Sequence, residues 1–265
     1  MKTKTLKTMM TMTRALPIFL ALVLTSAGAR AQGAVIEALE DLRQAKDPPE
    51  YRNVLPKRAD VPNVPPPREQ ADTGTCTSWS VTYAAASQAA RRMGLGSTVI
   101  LSPAITYNVM SGDRTCLRAT SISKTLDLLR DQGALPIEEF VFDPGWCGRQ
   151  PTDAERKRAA RYRIRSWSRF DARDIDAVKA QLARGAPVIF GMRVGTKLRG
   201  HRGDAVFNAD EGSFASHAMI AVGYDDARNA FRIQNSWGSR WGDGGYAWFS
   251  YDFWKRSTQV AFVID

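Results

Sequence analysis

Asn235-Ser-Trp-Gly-Ser-Arg-Trp-Gly-Asp-Gly-Gly-Tyr246 joins two short apolar runs, Ala230-Phe-Arg-Ile-Gln234 before it and Tyr246-Ala-Trp-Phe249 after it. β-Branched and aromatic residues bounded by glycine turns predict two strands. Working outward, Pro187–Val194, Ala218–Tyr224 and Gln259–Ile264 predict three more, with Asp225-Asp226 and Gly242–Gly245 as turn signals. The half of the chain before them has a different period. A helix is predicted from Cys76 through the Ala-, Ser- and Arg-rich run to Met93, with Thr73 and Thr75 offering cap hydroxyls and Gly94 as its stop. Ile122, Leu126 and Leu129 share one face of a second helix over Ile122–Gln132, and a third covers Ile175–Ala183. Helices first and strands later predict an α+β chain with a helical lobe and a β lobe.

The N-terminal edge is set apart. Lys2, Lys4, Lys7 and Arg14 precede the apolar run Leu16-Pro-Ile-Phe-Leu-Ala-Leu-Val-Leu24, and Ala29-Arg30-Ala31 offers a small-x-small cleavage site before Gln32. This is the layout of a secretory signal peptide over residues 1–31, too short in its apolar part to cross a bilayer. It predicts a secreted or periplasmic protein without a stable membrane anchor. These residues hold five of the 37 Lys and Arg and none of the acids, so their removal lowers the formal charge from +10 to +5. So mild an excess argues against a nucleic-acid partner, and the basic run Arg156–Arg165 is expected to be a solvated connecting segment. Val35, Ile36, Leu39 and Leu42 have helical spacing, which predicts a short helix within 32–48 ended by Pro48-Pro49. Pro56 to Pro67 reads as extended surface backbone.

Chemistry-bearing residues are few. A cysteine thiolate is the nucleophile of thiol chemistry, and a helix start beside an imidazolium favours it. Cys76 stands at the predicted helix start. Of the two histidines, His201 lies in the basic loop Arg199-Gly-His-Arg-Gly203, where a surface role is expected, while His217 directly precedes an apolar strand. A base needs its ring held, and the amide of Asn235, with Trp237 two residues on, is suited to hold and cover it. The Cys76 backbone amide and the Gln70 side chain are candidate donors to an oxyanion. Three cysteines in an oxidising compartment leave at least one unpaired, and their spacing does not say which two bond.

Together these segments resemble the papain family of cysteine peptidases. Gln70-Ala-Asp-Thr-Gly-Thr-Cys76-Thr-Ser-Trp-Ser80 is similar to the family's nucleophile segment, Ser216-His217-Ala218 to its histidine segment, and Asn235-Ser-Trp-Gly238 with Trp241–Tyr246 to its asparagine segment. The resemblance covers roughly residues 55–265. It implies a two-lobe fold, with a helical lobe over about 68–150, an antiparallel β-barrel-like lobe over about 151–265, and a cleft between them. It implies peptide hydrolysis through a thioester on Cys76, with His217 as base, Asn235 as its holder, Gln70 and the Cys76 amide as oxyanion hole, and Trp237 as cover. A protein or peptide substrate is implied, and neither metal nor cofactor. Where many members carry a bridged cysteine this chain has Thr73, so Cys116 and Cys147 remain to bond with each other. Thr77 replaces the tryptophan or small residue that usually follows the nucleophile. Cys116-Leu-Arg-Ala-Thr-Ser-Ile-Ser123 lacks the glycine pair that lines the substrate groove. Residues 32–54 are either a short pro-segment or a packed N-terminal element. The same thiol would also serve acyl transfer or cleavage of a non-protein amide, and a retired scaffold would only bind.

Overall fold

The computed structural model describes residues 33–42 and 46–265, so the leader predicted over 1–31 lies outside the described residues. Helix α1 runs unbroken over 76–92, its middle (Trp79–Ala86) wound as a π-helix, and Gly94 follows at φ 74°. Thr73 and Thr75 do not cap it as expected. Their hydroxyls bond to each other at 2.7 Å, and Thr73 donates to the Gln70 carbonyl. Helix α2 (Pro103–Ser111) follows, then α3 (Ile122–Asp131), α4 (Asp153–Ala159), α5 (Ile175–Ala183), α6 (Thr196–Arg199) and α7 (Tyr251–Ser257). The second and third predicted helices are α3 and α5. Sequence reading missed α2, although Ser102 caps it, Pro103 opens it and Gly112 closes it in the left-handed region. The basic run begins within α4, whose capping box joins Thr152 to Glu155, and is not mere connection.

Ten strands are described: β1 (Ala34–Val35), β2 (Arg58–Asp60), β3 (Thr120–Ser121), β4 (Trp167–Asp171), β5 (Val188–Val194), β6 (Val206–Phe207), β7 (Ala215–Asp225), β8 (Ala230–Gln234), β9 (Tyr246–Ser250) and β10 (Val260–Ile264). Eight of them form one sheet in the order β4-β10-β5-β7-β8-β9-β6, with β2 pairing β7. All its pairings are antiparallel except β6 with β9. β7 starts three residues earlier than expected. His217 therefore lies inside a paired strand, opposite Met192, and not just before one.

Alternate residues of this sheet feed two cores. Ile189, Ala218, Ile220, Val222, Phe262 and Ile264 join the core built with α1, α2 and α3. Val188, Phe190, Met192, Met219, Ala221 and Val263 join a second core with α5 and α7. Strands buried on both faces read as continuous apolar runs, which is why five were legible without alternation. This arrangement is α+β, a helical layer and a mainly antiparallel sheet around the nucleophile segment.

The predicted N-terminal helix does not form. Ala34 and Val35 are instead strand β1, parallel to β3, and Leu39–Leu42 make one 3₁₀ turn. The backbone of β3 offers unpaired hydrogen-bonding groups, and pairing them outweighs a weak local helix preference.

Candidate active site

Cys76 opens α1, packed below β7, and its side chain is fully buried. The backbone N–H groups of Thr77, Ala218 and Gly33 approach the sulfur and favour its thiolate, but burial dominates and pushes the thiol up from its ordinary value. His217 is also fully buried. Its Nε2 donates to Asn235 Oδ1 at 2.7 Å, and the same oxygen accepts the Ser236 amide at 2.8 Å. That bond selects the tautomer with a free lone pair on Nδ1, which has no hydrogen-bond partner among the described residues. Trp237 stacks on the imidazole, with ring centroids 4.5 Å apart and planes 18° apart, and Trp241 meets Trp237 edge-on. Burial, with a smaller push from the Arg199 charge, holds His217 down to about 4 against the raising effect of Asn235.

Burial works against the charged form of each of these two groups. Both groups are dry, and a dry site disfavours both charges. The N-terminal segment passes beside the sulfur. Gly33 and Ala34 lie over the nucleophile, with the Gly33 carbonyl accepting from Thr120 N at 2.7 Å. A Cβ on Gly33 would stand 1.5 Å from the Gly74 oxygen, so glycine alone fits. Thr77 Oγ1 lies 3.1 Å from the Thr120 carbonyl and 3.5 Å from that of Gly33, which gives the unusual residue after the nucleophile a role in this seam.

Gln70 is not a solvated loop residue; it is buried. Its Nε2 donates to the Thr73 carbonyl at 2.7 Å, its Oε1 accepts from Ser236 Oγ at 2.6 Å, and its own amide donates to Ser236 O. One amide hydrogen remains for another acceptor. Ser236 therefore orients both Gln70 and Asn235, a role that its place between Asn235 and Trp237 did not announce. His201 is half-buried and not simply a surface residue. It packs edge-on against Phe207 and Trp241 and has no part in this site. Cys116 and Cys147 form the disulfide, with Cα atoms 5.2 Å apart, and leave Cys76 as the free thiol. The Cys116 carbonyl accepts the Gly74 amide, so the bridged loop supports the turn before the nucleophile. No cluster of metal-ligating side chains occurs among the described residues.

A buried free thiol at a helix start, and an imidazole locked by a carboxamide and stacked under an indole, are the kinds of group that thiol chemistry uses. The model of the papain family cysteine proteases matches residues 54–259, and the chain belongs to that family. It is 26% identical over 207 residues to cathepsin Q of Rattus norvegicus, covering 74% of this chain and 59% of that protein. The senescence-specific cysteine protease SAG12 of Arabidopsis thaliana is 24% identical over 225 residues, covering 80% and 62%. The chain thus spans less than two thirds of the length of these relatives. Among solved structures, xylellain, a cysteine protease from Xylella fastidiosa, superposes with a TM-score of 0.77 at 24% identity, covering 89% of this chain and 96% of that one. Procathepsin L 3 of Tenebrio molitor superposes at 0.71 with 14% identity, over 89% and 76%.

Proposed function

We propose that this chain is a secreted or periplasmic thiol peptidase that hydrolyses peptide bonds through a thioester on Cys76. The observation that carries this is the 2.7 Å bond from His217 to Asn235 beneath Trp237, which leaves Nδ1 as the ring's only free basic atom. In the working state His217 takes the Cys76 proton, and the thiolate attacks the scissile carbonyl. The Cys76 amide and the free Gln70 hydrogen receive the oxyanion. His217 then protonates the leaving amine and afterwards activates water to release the acid. The peptidase domain is 55–265, and 32–54 acts as a short pro-segment. Gly33–Val35 keeps the site covered and neutral, because a strand paired with β3 occupies the backbone groups to which an extended peptide would add. The test is hydrolysis of a denatured protein by the purified full chain under reducing conditions, with iodoacetamide labelling of Cys76 read by mass spectrometry. Wild type should cleave and Cys76→Ala should not. Equal cleavage by the two proteins would overturn the assignment.

A further inference from the structure

Behind the imidazole, the Asn235 carboxamide has a second end. Its Oδ1 accepts from His217 Nε2 and from Ser236 N, which fixes the amide's orientation and turns Nδ2 away from the ring. Nδ2 has no hydrogen-bond partner among the described residues. Two more side-chain atoms share that condition: Nε1 of Trp79, on the first turn of α1, and Oε1 of Gln234, the last residue of β8. All three residues are 4% exposed, so open solvent does not serve these atoms. Gln234 is fixed as firmly as Asn235. Its Nε2 donates to the Pro65 carbonyl at 3.0 Å, and turning that amide over would set two oxygens against each other. Trp79, Gln234 and Asn235 border one cavity of about 10 Å³, together with Ser80 and the exposed Arg68. Two fixed donors and one fixed acceptor therefore surround a space that holds a single small molecule. A buried water needs about 10–15 Å³ and makes about three hydrogen bonds to groups that otherwise lack one. An ammonium ion has no lone pair for the two N–H groups, and a halide has no hydrogen for Gln234. Water has both. Ser80 Oγ, whose hydrogen goes to the Cys76 carbonyl at 2.9 Å, keeps lone pairs for the water's second hydrogen.

We propose that this cavity seats one ordered water, and that Trp79 and Gln234 are positioning residues that act through it on Asn235. With Nδ2 tied to the water, the carboxamide is held at both ends. It does not turn over to offer an N–H to the imidazole, so Nε2 of His217 keeps its proton and Nδ1 its lone pair. The role in turnover rests on the peptidase reading above; the water and its hold on the ring do not.

A crystal structure of the full chain, fine enough to show single waters, should place one within hydrogen-bond distance of Asn235 Nδ2, Trp79 Nε1 and Gln234 Oε1. Two variants then separate the N–H from the packing around it. Trp79→Phe removes the donor and keeps an aromatic ring. Phe142→Leu disturbs the edge-on contact of Phe142 with Trp79, at 5.2 Å between centroids, and removes no polar group. Nitrogen NMR of the labelled His217 ring should show the Nε2–H tautomer alone in wild type and in Phe142→Leu, and a mixture with the Nδ1–H tautomer in Trp79→Phe. On a peptide substrate, kcat should fall about tenfold in Trp79→Phe with KM within about twofold, and Phe142→Leu should keep both. Should Trp79→Phe not fold by circular dichroism, benzothienylalanine in place of Trp79 sets a sulfur where the indole N–H stood and takes over the same measurements. A cavity without water in the crystal, or filled by the Arg68 guanidinium, overturns the inference. So does an unchanged tautomer without the Trp79 donor, or an equal loss in Phe142→Leu, which would leave Trp79 a packing residue only. A tautomer mixture in Trp79→Phe, beside a wild type that cleaves no peptide, overturns the peptidase reading and keeps the water.

Discussion

Replacing Gly33 with alanine sets a methyl carbon 1.5 Å from the Gly74 carbonyl oxygen, where ordinary contact is about 3.4 Å. The obstacle is backbone on both sides, so no side chain can swing away. β1 must move by about 2 Å. That breaks the 2.7 Å bond from Thr120 N to the Gly33 carbonyl and withdraws the Gly33 amide from the Cys76 sulfur. A lost hydrogen bond costs about 1 kcal/mol. Forcing a methyl group into a filled site costs about 1–3 kcal/mol more. Together they shift the covered-to-open balance by about 3 kcal/mol, or about 100-fold. Cys76 is buried when covered, so its alkylation rate follows the open fraction. Iodoacetamide labelling of the full chain, quenched over time and read by mass spectrometry, should be about 100 times faster for Gly33→Ala than for wild type at pH 7. Labelling within threefold of wild type, with unchanged circular dichroism, would refute the claim that this segment guards the thiol.

Acid should weaken the fold through His217. Its folded value near 4 lies below the 6.5 expected when unfolded, so the unfolded chain takes up the proton first as pH falls. Stability should drop by about 3 kcal/mol between pH 6.5 and 4 from this group, by the usual conversion per pKa unit. Urea midpoints at pH 7 and 4.5 measure it, and His217→Ala should show a smaller drop; an equal drop excludes the residue as the cause. Asn235→Ala leaves Nε2–H buried without an acceptor and lets the ring turn. A loss of about 10²-fold in kcat, with a smaller change in KM, is expected from steady-state kinetics. Asn235→Asp puts a carboxylate 2.7 Å from the ring and should raise the His217 value, seen as an upward shift of its imidazole titration by NMR. Breaking Cys116–Cys147 by double serine replacement frees a loop spanning 31 residues and should cost about 3–4 kcal/mol, measured by urea denaturation.

The strands that carry the site were legible because both their faces are buried, which leaves long apolar runs between glycine turns. Helices α1, α3 and α5 announced themselves by spacing and by glycine stops. Cys76, His217, Asn235 and Trp237 were singled out together, by segments whose order resembles the papain family, and not by any one of them alone. What escaped was non-local. Val35, Ile36, Leu39 and Leu42 fit a helix, but β3 offered a backbone edge that no local pattern in the segment registers. Ser236 and Thr77 act by donating to groups far away in sequence, and their own neighbours give no sign of it. The complete burial of Cys76 and His217 depends on how distant segments pack, and spacing does not encode dryness.

Strand β7 sends Ala218, Ile220 and Val222 into one core and Met219 and Ala221 into the other. A partition serving two rooms cannot be removed with either. Expressing the portions before and after about residue 150 as separate polypeptides would strip an oily face from each, and both products should clump unless made together. The same joinery bars the helices from swinging off the sheet like a hinged jaw. Under the proposed pro-segment reading, the thin tail beside the sulfur is the natural handle for anyone wishing to switch the molecule on or off.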